Sequence, residues 1–338
     1  MEQRRSRSGA SASRVAVLLV VLAAVFVSLS GAAGATPVAV DVGRLAGPSG
    51  VLRDGGWSVP VGGRLLWLFG DTLYPGCDPV CASNSAGLGG ASGPTDELGA
   101  EFIPLTAEER SAWHAGNDRV AVWPSGAVPT GPGTAAVFFA RYHVVGPVSY
   151  VALGWGVATV SVGDATATRV LEMPGRPFGH PLLVGRRVYA YSCERTEGIA
   201  SACKVARAVL GRVAESDGWR YWNGARWSQR PKRATFVLSG PLGGLSVSWN
   251  AHLGRYLAVY NVPLSNRVAM RTAQSPTGPW SAPTTLFTGL DAPAGTFDYA
   301  GMEHPELAAE RGRVITVTYY HPLGTWQGEI RRVEVTLA

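Results

Sequence analysis

Two aspartates stand at the ends of one short, strongly patterned stretch, and their spacing could bring two carboxyl groups together. The stretch reads Asp54-Gly-Gly-Trp-Ser-Val-Pro-Val-Gly-Gly-Arg-Leu-Leu-Trp-Leu-Phe-Gly-Asp71. Its central Gly-Gly pair is typical of a two-residue turn between antiparallel strands, so we predict strands at residues 57–61 and 64–69. Because antiparallel strands fold back on each other, Asp54 and Asp71 should lie at the same open end.

Two neighbouring carboxyl groups can carry out acid–base chemistry. Like charges raise one pKa at the expense of the other, so one group keeps its proton while the other ionises. Cleavage of a glycosidic bond needs this combination: one carboxyl protonates the leaving oxygen, and another activates water or attacks the anomeric carbon. A single acid at a strand end is more often a solvated turn residue. We predict Asp54 and Asp71 as catalytic residues, with Glu303 as a third candidate and proton donor.

The hairpin plan recurs four more times along the chain. Three copies turn at Gly-Arg pairs, at residues 185–186, 254–255 and 312–313, and a more divergent copy covers residues 118–143. Polar residues stand at both open ends of each copy. Five such hairpins predict an all-β, five-bladed β-propeller that forms a single domain over residues 36–338, with residues 36–48 closing the ring in the last blade.

The polar ends of the inner strands should gather around one axial mouth. We predict that His180 and His304 occupy matching positions, each before a proline at the start of an inner strand, with Glu306 inside the second of these strands. Two histidines without a clear third ligand favour hydrogen bonding to a substrate over metal binding. The predicted substrate-binding residues are Trp57, Asp118, His180, Glu194, Asn261, His304 and His321. No cofactor or metal site is predicted, and an axial ion such as calcium stays an open alternative.

The N-terminal segment has the pattern of an export signal. Arginines at the start precede an apolar run at residues 15–29, and Ala33-Gly-Ala35 is a small-x-small cleavage site. The alternative is an uncleaved membrane anchor, but fifteen apolar residues are short for a span of about 20. We therefore predict a signal peptide at residues 1–35, no membrane span after cleavage, and a secreted or cell-envelope protein.

The charge of the chain argues against a nucleic-acid partner. The 338 residues carry a net charge of +6, and residues 1–35 contribute half of it with four arginines against one glutamate. The remaining excess is small and scattered, without a basic stripe. The predicted partner is a polysaccharide, bound by a monomer.

Four cysteines in an exported chain suggest disulfides. Three pairings are possible, and the local pairs are Cys77–Cys81 and Cys193–Cys203. A zinc site is the competing explanation, but no histidine lies at ligand spacing to the single C-x-x-x-C motif. Structural bridges are the better prediction.

Residues 54–60 and 66–72, with the strings Asp-Gly-Gly-Trp-Ser-Val-Pro and Trp-Leu-Phe-Gly-Asp-Thr in them, resemble a known family. It comprises exported five-bladed propellers, long catalogued as a domain of unknown function, whose characterised members are endo-D-arabinanases of glycoside hydrolase family 183. Further matching features are Asn84-Ser-Ala, Val122-Trp-Pro124, Leu245-Ser-Val, Ser275-Pro-Thr-Gly-Pro-Trp280 and His304-Pro-Glu-Leu307. The resemblance implies hydrolysis within the D-arabinofuranose chains of arabinogalactan or lipoarabinomannan type, with Asp54 and Asp71 as the transferable acids.

Two other classes of function compete with an endo-acting glycosidase. A non-catalytic propeller could use the same mouth to bind carbohydrate, and an exported scaffold could bind protein partners. A hydrolase acting on another furanoside is a further alternative. Hydrolysis needs two suitably placed carboxyl groups, whereas lectins favour amides and aromatic side chains. The number of acids at the mouth is therefore the feature that separates these readings.

Overall fold

A computed structural model describes residues 36–77, 82–112, 118–146, 149–324 and 327–338 of the protein. The predicted signal peptide at residues 1–35 lies outside these ranges. In the part of the chain that the structure describes, no helix is long and apolar enough to cross a membrane. The first strand, β1 (Val38–Arg44), joins the last strands of the chain, and its partners are given with the fifth blade.

The first two blades are regular four-stranded antiparallel sheets. The first blade has the strand order β2 (Leu52–Val61), β3 (Arg64–Leu73), β4 (Ser85–Gly90) and β5 (Gly93–Ala100). The second has the order β6 (Arg119–Gly131), β7 (Thr134–Gly146), β8 (Ser149–Ser161) and β9 (Thr168–Pro174). Between them lies the helix α1 (Ala107–Ser111), whose N-terminus is closed by a capping box of Thr106 and Glu109.

The third blade is the most irregular one. Its strands are β10 (Gly179–Val184), β11 (Arg187–Arg195), β12 (Ser201–Val209), β13 (Arg220–Trp222) and β14 (Trp227–Ser228), and β15 (Phe236–Ser239) pairs with β12 as well. The fourth blade returns to the simple order of β16 (Ser246–Asn250), β17 (Arg255–Asn261), β18 (Arg267–Ala273) and β19 (Thr284–Thr288).

The fifth blade closes the ring with strands from both ends of the chain. It contains β20 (Tyr299–Glu303), β21 (Val314–Gly324) and β22 (Gln327–Thr336), and β1 pairs with β22 from Val38↔Thr336 to Arg44↔Arg331. The prediction that residues 36–48 complete the last blade is therefore confirmed. The described residues form an all-β, five-bladed propeller in one compact unit, as the five hairpins predicted.

The second strands of the hairpins are mainly apolar in their middle parts because both of their faces are covered. In β3, Leu66 and Leu68 pack with residues of the second blade, such as Val137 and Phe139. The alternate side chains, Trp67 and Phe69, pack with residues of the fifth blade. Successive side chains of a strand point to opposite faces, so a strand that is covered on both faces has apolar residues at consecutive positions.

Two strand boundaries differ from the prediction. The strand β2 begins at Leu52, so Asp54 lies inside it rather than before it, because shifts in register on both sides of Gly55 let the chain continue through the Gly-Gly pair. The inner strand of the fifth blade is Tyr299–Glu303 and ends before His304. Pro305 lacks the N–H that would extend the ladder, and Pro305–Leu307 forms a 3₁₀ turn that contains Glu306. His180, the second residue of β10, therefore does not match His304 in position.

The disulfide pairing agrees with the local prediction where the structure describes it. Cys193 and Cys203 are directly opposite each other in the β11–β12 ladder and form a disulfide. Cys77 is also disulfide-bonded, and its predicted partner Cys81 lies outside the described residues. A structural disulfide is consistent with an extracellular protein.

We expect replacement of both Cys193 and Cys203 by serine to cost about 2 kcal/mol of stability, because the bridge closes a loop with a sequence separation of only 10. For a domain of this size that loss lowers the melting temperature by roughly 4 °C. Thermal unfolding followed by circular dichroism measures the shift. Unfolding of the variant at room temperature would contradict the expectation that the blade is held mainly by its apolar faces.

Candidate active site

Asp54 is placed by an irregularity in the first hairpin. The register of β2 against β3 shifts between Arg53 and Gly55, so Asp54 lies in a bulge opposite the end of β3. Bulges of this kind re-aim a side chain. The side chain of Asp54 crosses over Gly70, where a Cβ atom would overlap the Oδ1 atom of Asp54. Only glycine at position 70 leaves room for this carboxyl group next to Asp71.

The environment of Asp54 favours the protonated carboxyl. Burial and the nearby charge of Asp71 raise its pKa from 3.8 to about 7. Two donors oppose this shift: the hydroxyl of Tyr299, which donates to Oδ2 over 2.9 Å, and the backbone N–H of Asp71. The carboxyl of Asp54 is therefore a group that can hold a proton near neutral pH.

The environment of Asp71 stabilises its charge better than that of Asp54 does. Its Oδ2 atom accepts a hydrogen bond from Arg119, whose side chain is only 1% exposed, and its Oδ1 atom accepts one from Trp123 Nε1 over 2.8 Å. Burial raises the pKa of Asp71 above its ordinary value as well, although the charge of Arg119 and the Trp123 hydrogen bond partly offset this. Arg119 is in direct contact with Asp71, whereas it acts on Asp54 through its charge alone. Of the two carboxyl groups, Asp71 is therefore the better site for the negative charge.

An aromatic cluster adjoins the acid pair on the second blade. The ring of Trp123 lies 5.1 Å from that of Tyr142 and 5.6 Å from that of Tyr150, and the two tyrosine rings are 5.0 Å apart. Tyr150 is 47% exposed. Aromatic faces of this kind pack against the C–H faces of sugars, and the exposed tyrosine offers such a face next to Trp123, which donates to Asp71.

The other predicted acids and histidines of the mouth lie elsewhere along the axis. Trp57, His180, Glu303 and His304 line an axial cavity of about 300 Å³, and neither Asp54 nor Asp71 is among the residues that line it. Burial raises the pKa of Glu303 to about 7, against a hydrogen bond that Ser248 Oγ donates to it over 2.5 Å. The first hairpin thus brings two of the three predicted catalytic acids together, and Glu303 belongs to a different part of the channel.

His304 is held in a chain of hydrogen bonds within that cavity. Its Nδ1 atom is 2.5 Å from Ser58 Oγ, which also bonds Glu306, and its Nε2 atom is 2.7 Å from Thr318 Oγ1. The side chain is buried and its ring packs 5.1 Å from that of Trp67. Both ring nitrogens of His304 are therefore engaged within the protein.

The remaining predicted binding residues are divided between surface ion pairs and the interior. Asp118 is exposed and lies 2.8 Å from His143 Nε2, and Glu194 is paired with Lys204 and Arg176. His321 Nδ1 contacts Asp298 Oδ1 over 2.9 Å, and both side chains are buried. The amide of Asn261 is also buried. Glu194 and Asn261 lie at the ends of β11 and β17, Asp118 directly precedes β6, and His321 lies within β21. None of these four ion-pair contacts is made with Asp54 or Asp71.

Three residues that complete the pair were not predicted as part of it. Arg119 and Tyr299 hold the carboxyl groups, and Gly70 admits them. Gly70 carried a usable signal, since a glycine directly before Asp71 in an otherwise apolar strand often marks a close approach. Arg119 and Tyr299 come from other blades, and no local pattern ties them to the first hairpin.

No metal site accompanies these groups in the described ranges, where no cluster of three or more His, Cys, Asp or Glu residues could hold an ion.

Part of the chain matches a known sequence family. Residues 166–327 match the family described as "Domain of unknown function (DUF4185)". Notoamide biosynthesis cluster protein J' from Aspergillus versicolor is 32% identical over 130 residues, which is 38% of this chain and 34% of that protein. The match thus spans about a third of the length of this curated relative.

Solved structures with a similar fold include propeller glycoside hydrolases. A protein from Bacteroides ovatus, provisionally described as a hydrolase, superposes with a TM-score of 0.61 at 14% identity, covering 87% of both chains. A family 117 glycoside hydrolase from Zobellia galactanivorans gives 0.57 at 10% identity, over 90% of this chain and 91% of that one. A GH43_1 enzyme from Xanthomonas citri, complexed with xylotriose, gives 0.54 at 16% identity, over 86% and 89%. The chain therefore shares its fold with propeller glycoside hydrolases, and its residues 166–327 are similar to the DUF4185 family.

Proposed function

We propose that the protein is an exported glycoside hydrolase that cleaves D-arabinofuranosyl linkages within D-arabinan. The single observation behind this proposal is the acid pair of the first hairpin, in which Asp54 is the better site for a proton and Asp71, in contact with Arg119, is the better site for the negative charge. Such a division of roles between two neighbouring carboxyl groups is what glycoside cleavage requires.

We assign the role of general acid to Asp54. Its carboxyl donates the proton to the glycosidic oxygen as the bond to the anomeric carbon breaks. Asp71 remains ionised against Arg119 and either activates the water that attacks the anomeric carbon or attacks it directly. Its negative charge also stabilises the positive charge that develops on the sugar ring. The stereochemistry of the product distinguishes the two routes.

The choice of D-arabinan rests on the resemblance of the first hairpin to endo-D-arabinanases. The Trp-Leu-Phe-Gly-Asp-Thr string of residues 67–72 contains the glycine that admits Asp54 and the acid that pairs with Arg119. The exposed Tyr150, next to Trp123 and Tyr142, supplies an aromatic face along which a polymer could extend. The propeller glycoside hydrolases that share the fold support the broader assignment to this class of enzyme.

Carbohydrate binding without catalysis is the second candidate function. It is favoured by the aromatic cluster, which would serve a lectin equally well, and a lectin would have no need for a protonated acid beside an ionised one. The two functions differ in whether the purified mature protein shortens D-arabinan chains.

Replacement of each acid by its amide tests the role of the pair. We expect Asp54→Asn and Asp71→Asn to lower the rate of D-arabinan hydrolysis by about 10² to 10⁴-fold, because an amide can neither donate the proton nor carry the charge. Asp54→Asn should keep its melting temperature. Asp71→Asn should be less stable than the wild type, because it removes the charge of a carboxylate that is in contact with the buried Arg119. Release of reducing ends is the measurement of rate.

The matched control for both substitutions is Asp96→Asn, which removes an aspartate from the outer strand of the same blade. Its side chain is 62% exposed and pairs with Arg64, so rate and stability should both stay near wild type. A wild-type protein without turnover would favour binding alone. Cleavage by the wild type together with near-normal rates in both acid variants would mean that the chemistry is elsewhere.

The pH dependence of kcat/KM should reflect the same pair. Asp54 must be protonated, so kcat/KM should fall as the pH rises through about 7, the pKa to which burial and Asp71 raise this carboxyl. Asp71 must be ionised, so the rate should also fall in acid, giving a bell-shaped profile whose limbs belong to the pair as a whole. A rate that stays constant from pH 6 to pH 9 would rule out Asp54 as the acid.

Gly70→Ala tests the positioning of Asp54 without changing a carboxyl group. Gly70 is not among the glycines with a positive φ, and the added methyl would meet Trp123 only at 3.8 Å, so its overlap with Asp54 Oδ1 is the main disturbance. We expect kcat/KM to fall at least about tenfold, and the double variant with Asp54→Asn to be no slower than Asp54→Asn alone. Gly90→Ala, where a Cβ meets nothing within 4 Å, is the control. Additive losses in the double variant would contradict this positioning role.

A further inference from the structure

A cavity on the propeller axis is lined by residues other than the acid pair. The cavity of about 300 Å³ is lined by one segment of each inner strand and its continuation: residues 57–60, 126–129, 180–183, 245–249 and 302–306. Exposed Pro60, Trp249 and Pro305 mark its mouth. Asp54 lies near the start of β2 and Pro60 near its end, so the mouth of the cavity lies toward the opposite end of the inner strands.

The cavity contains polar groups that converge from different blades. The second blade contributes backbone and apolar side chains, and the polar side chains are Ser58, His180, Ser246, Ser248, Glu303, His304 and Glu306. The Nδ1 atom of His180 is buried and has no partner at hydrogen-bond distance and angle among the described residues, and the ring interacts with the backbone of Leu245. A buried ring nitrogen without a well-formed hydrogen bond costs free energy, which a ligand hydroxyl in contact with the ring would reduce.

The charge of the cavity excludes anions. Its lining contains two glutamates and neither lysine nor arginine. Burial lowers the pKa of His180 to about 4, so this imidazole is neutral at physiological pH and contributes no positive charge. Burial also raises the pKa of Glu303 to about 7, so below that pH its carboxyl both donates and accepts hydrogen bonds. A neutral imidazole, a carboxylic acid and serine hydroxyls together suit a ligand whose own groups donate and accept.

The apolar part of the lining suits one face of a sugar. Trp57, Leu182 and Met302 lie among the polar groups inside the cavity, and Trp249 at its mouth is 51% exposed. An exposed tryptophan at the entrance of a concave polar site provides a stacking surface for C–H groups. The volume lies at the lower end of the range for small-molecule sites, about 300 to 1,000 Å³, which limits the ligand to one ring.

We propose that this axial cavity is a second ligand site, which binds a neutral polyhydroxy ring of monosaccharide size. The ring stacks on Trp249 at the mouth and directs its hydroxyl groups to His180, Ser248 and Glu303. The proposal does not depend on hydrolysis at Asp54 and Asp71, since it needs only binding.

The test is a titration of the full chain with D-arabinose, D-xylose and D-galactose, followed by calorimetry and by saturation-transfer NMR at pH 6.5. We expect saturable binding of at least one of these sugars, with a Kd on the order of 1 mM. Trp249→Ala and Glu303→Gln should each weaken it at least about fivefold. Phe236→Ala, which removes another exposed aromatic ring outside the cavity, should leave the affinity unchanged.

Two comparisons locate the site and define its chemistry. Asp54→Asn should not change the affinity for these sugars. Loss of binding in Asp54→Asn but not in Trp249→Ala would place the sugar at the acid pair and overturn the proposal.

D-galacturonate should bind more weakly than D-galactose, because the cavity lining contains two glutamates and neither lysine nor arginine. Tenfold tighter binding of D-galactosamine than of D-galactose would assign the cavity to cations instead. Absence of saturable binding of all three neutral sugars would also overturn the proposal.

Discussion

The contact between Asp71 and the buried Arg119 is the interaction on which the candidate active site depends. It joins the end of β3 in the first blade to the start of β6 in the second, and Trp123 of β6 adds a hydrogen bond to the same carboxyl. The other acid is held from the opposite side, because Tyr299 of the fifth blade donates to Asp54. The pair therefore forms only when both neighbouring blades are packed against the first, which makes the closure of the ring by β1 and β22 a condition for function.

The propeller itself could be predicted from the sequence because its hairpins are local. Gly-Gly and Gly-Arg turns, apolar second strands and polar open ends all appear within segments of about twenty residues, and the same segments form blades in the structure. The proximity of Asp54 and Asp71 followed from the same hairpin. The bulge at Asp54 did not, because a Gly-Gly pair inside a strand looks like the end of a strand until the ladder is seen to continue around it.

The rest of the site could not be predicted because it is made between blades. Tyr299 and Asp54 are 245 residues apart in the chain, and Asp71 and Arg119 are 48 apart. Which residue of one blade reaches the next depends on strand register and bulges, and neither has a local signal. The positions of Glu303 and His304 were also not predictable from the local pattern. The inner strand ends at Glu303 because Pro305 follows, so these two residues line the axial cavity and do not lie at the end of the strands where Asp54 lies.

Asp54 and Glu303 share a raised pKa but differ in how their neighbouring carboxyl group is held. Both have a pKa near 7, raised first by burial and then by the charge of a second acid, which is Asp71 for Asp54 and Glu306 for Glu303. Asp71 is in contact with the buried Arg119, whereas Glu306 accepts its hydrogen bond from Ser58. A raised pKa alone therefore marks a candidate, and the neighbouring group decides whether an acid–base pair exists.

The carboxyl carbons of Asp54 and Asp71 report this division directly when they are followed by ¹³C NMR across a pH titration, with Asp54→Asn and Asp71→Asn used to assign the signals. We expect Asp54 to titrate with an apparent pKa of about 7. We expect Asp71 to lose its proton at a lower pH than Asp54, since Arg119 and Trp123 stabilise the charge of Asp71. Titration of Asp54 near its ordinary value of 3.8, or of Asp71 above Asp54, would contradict the account.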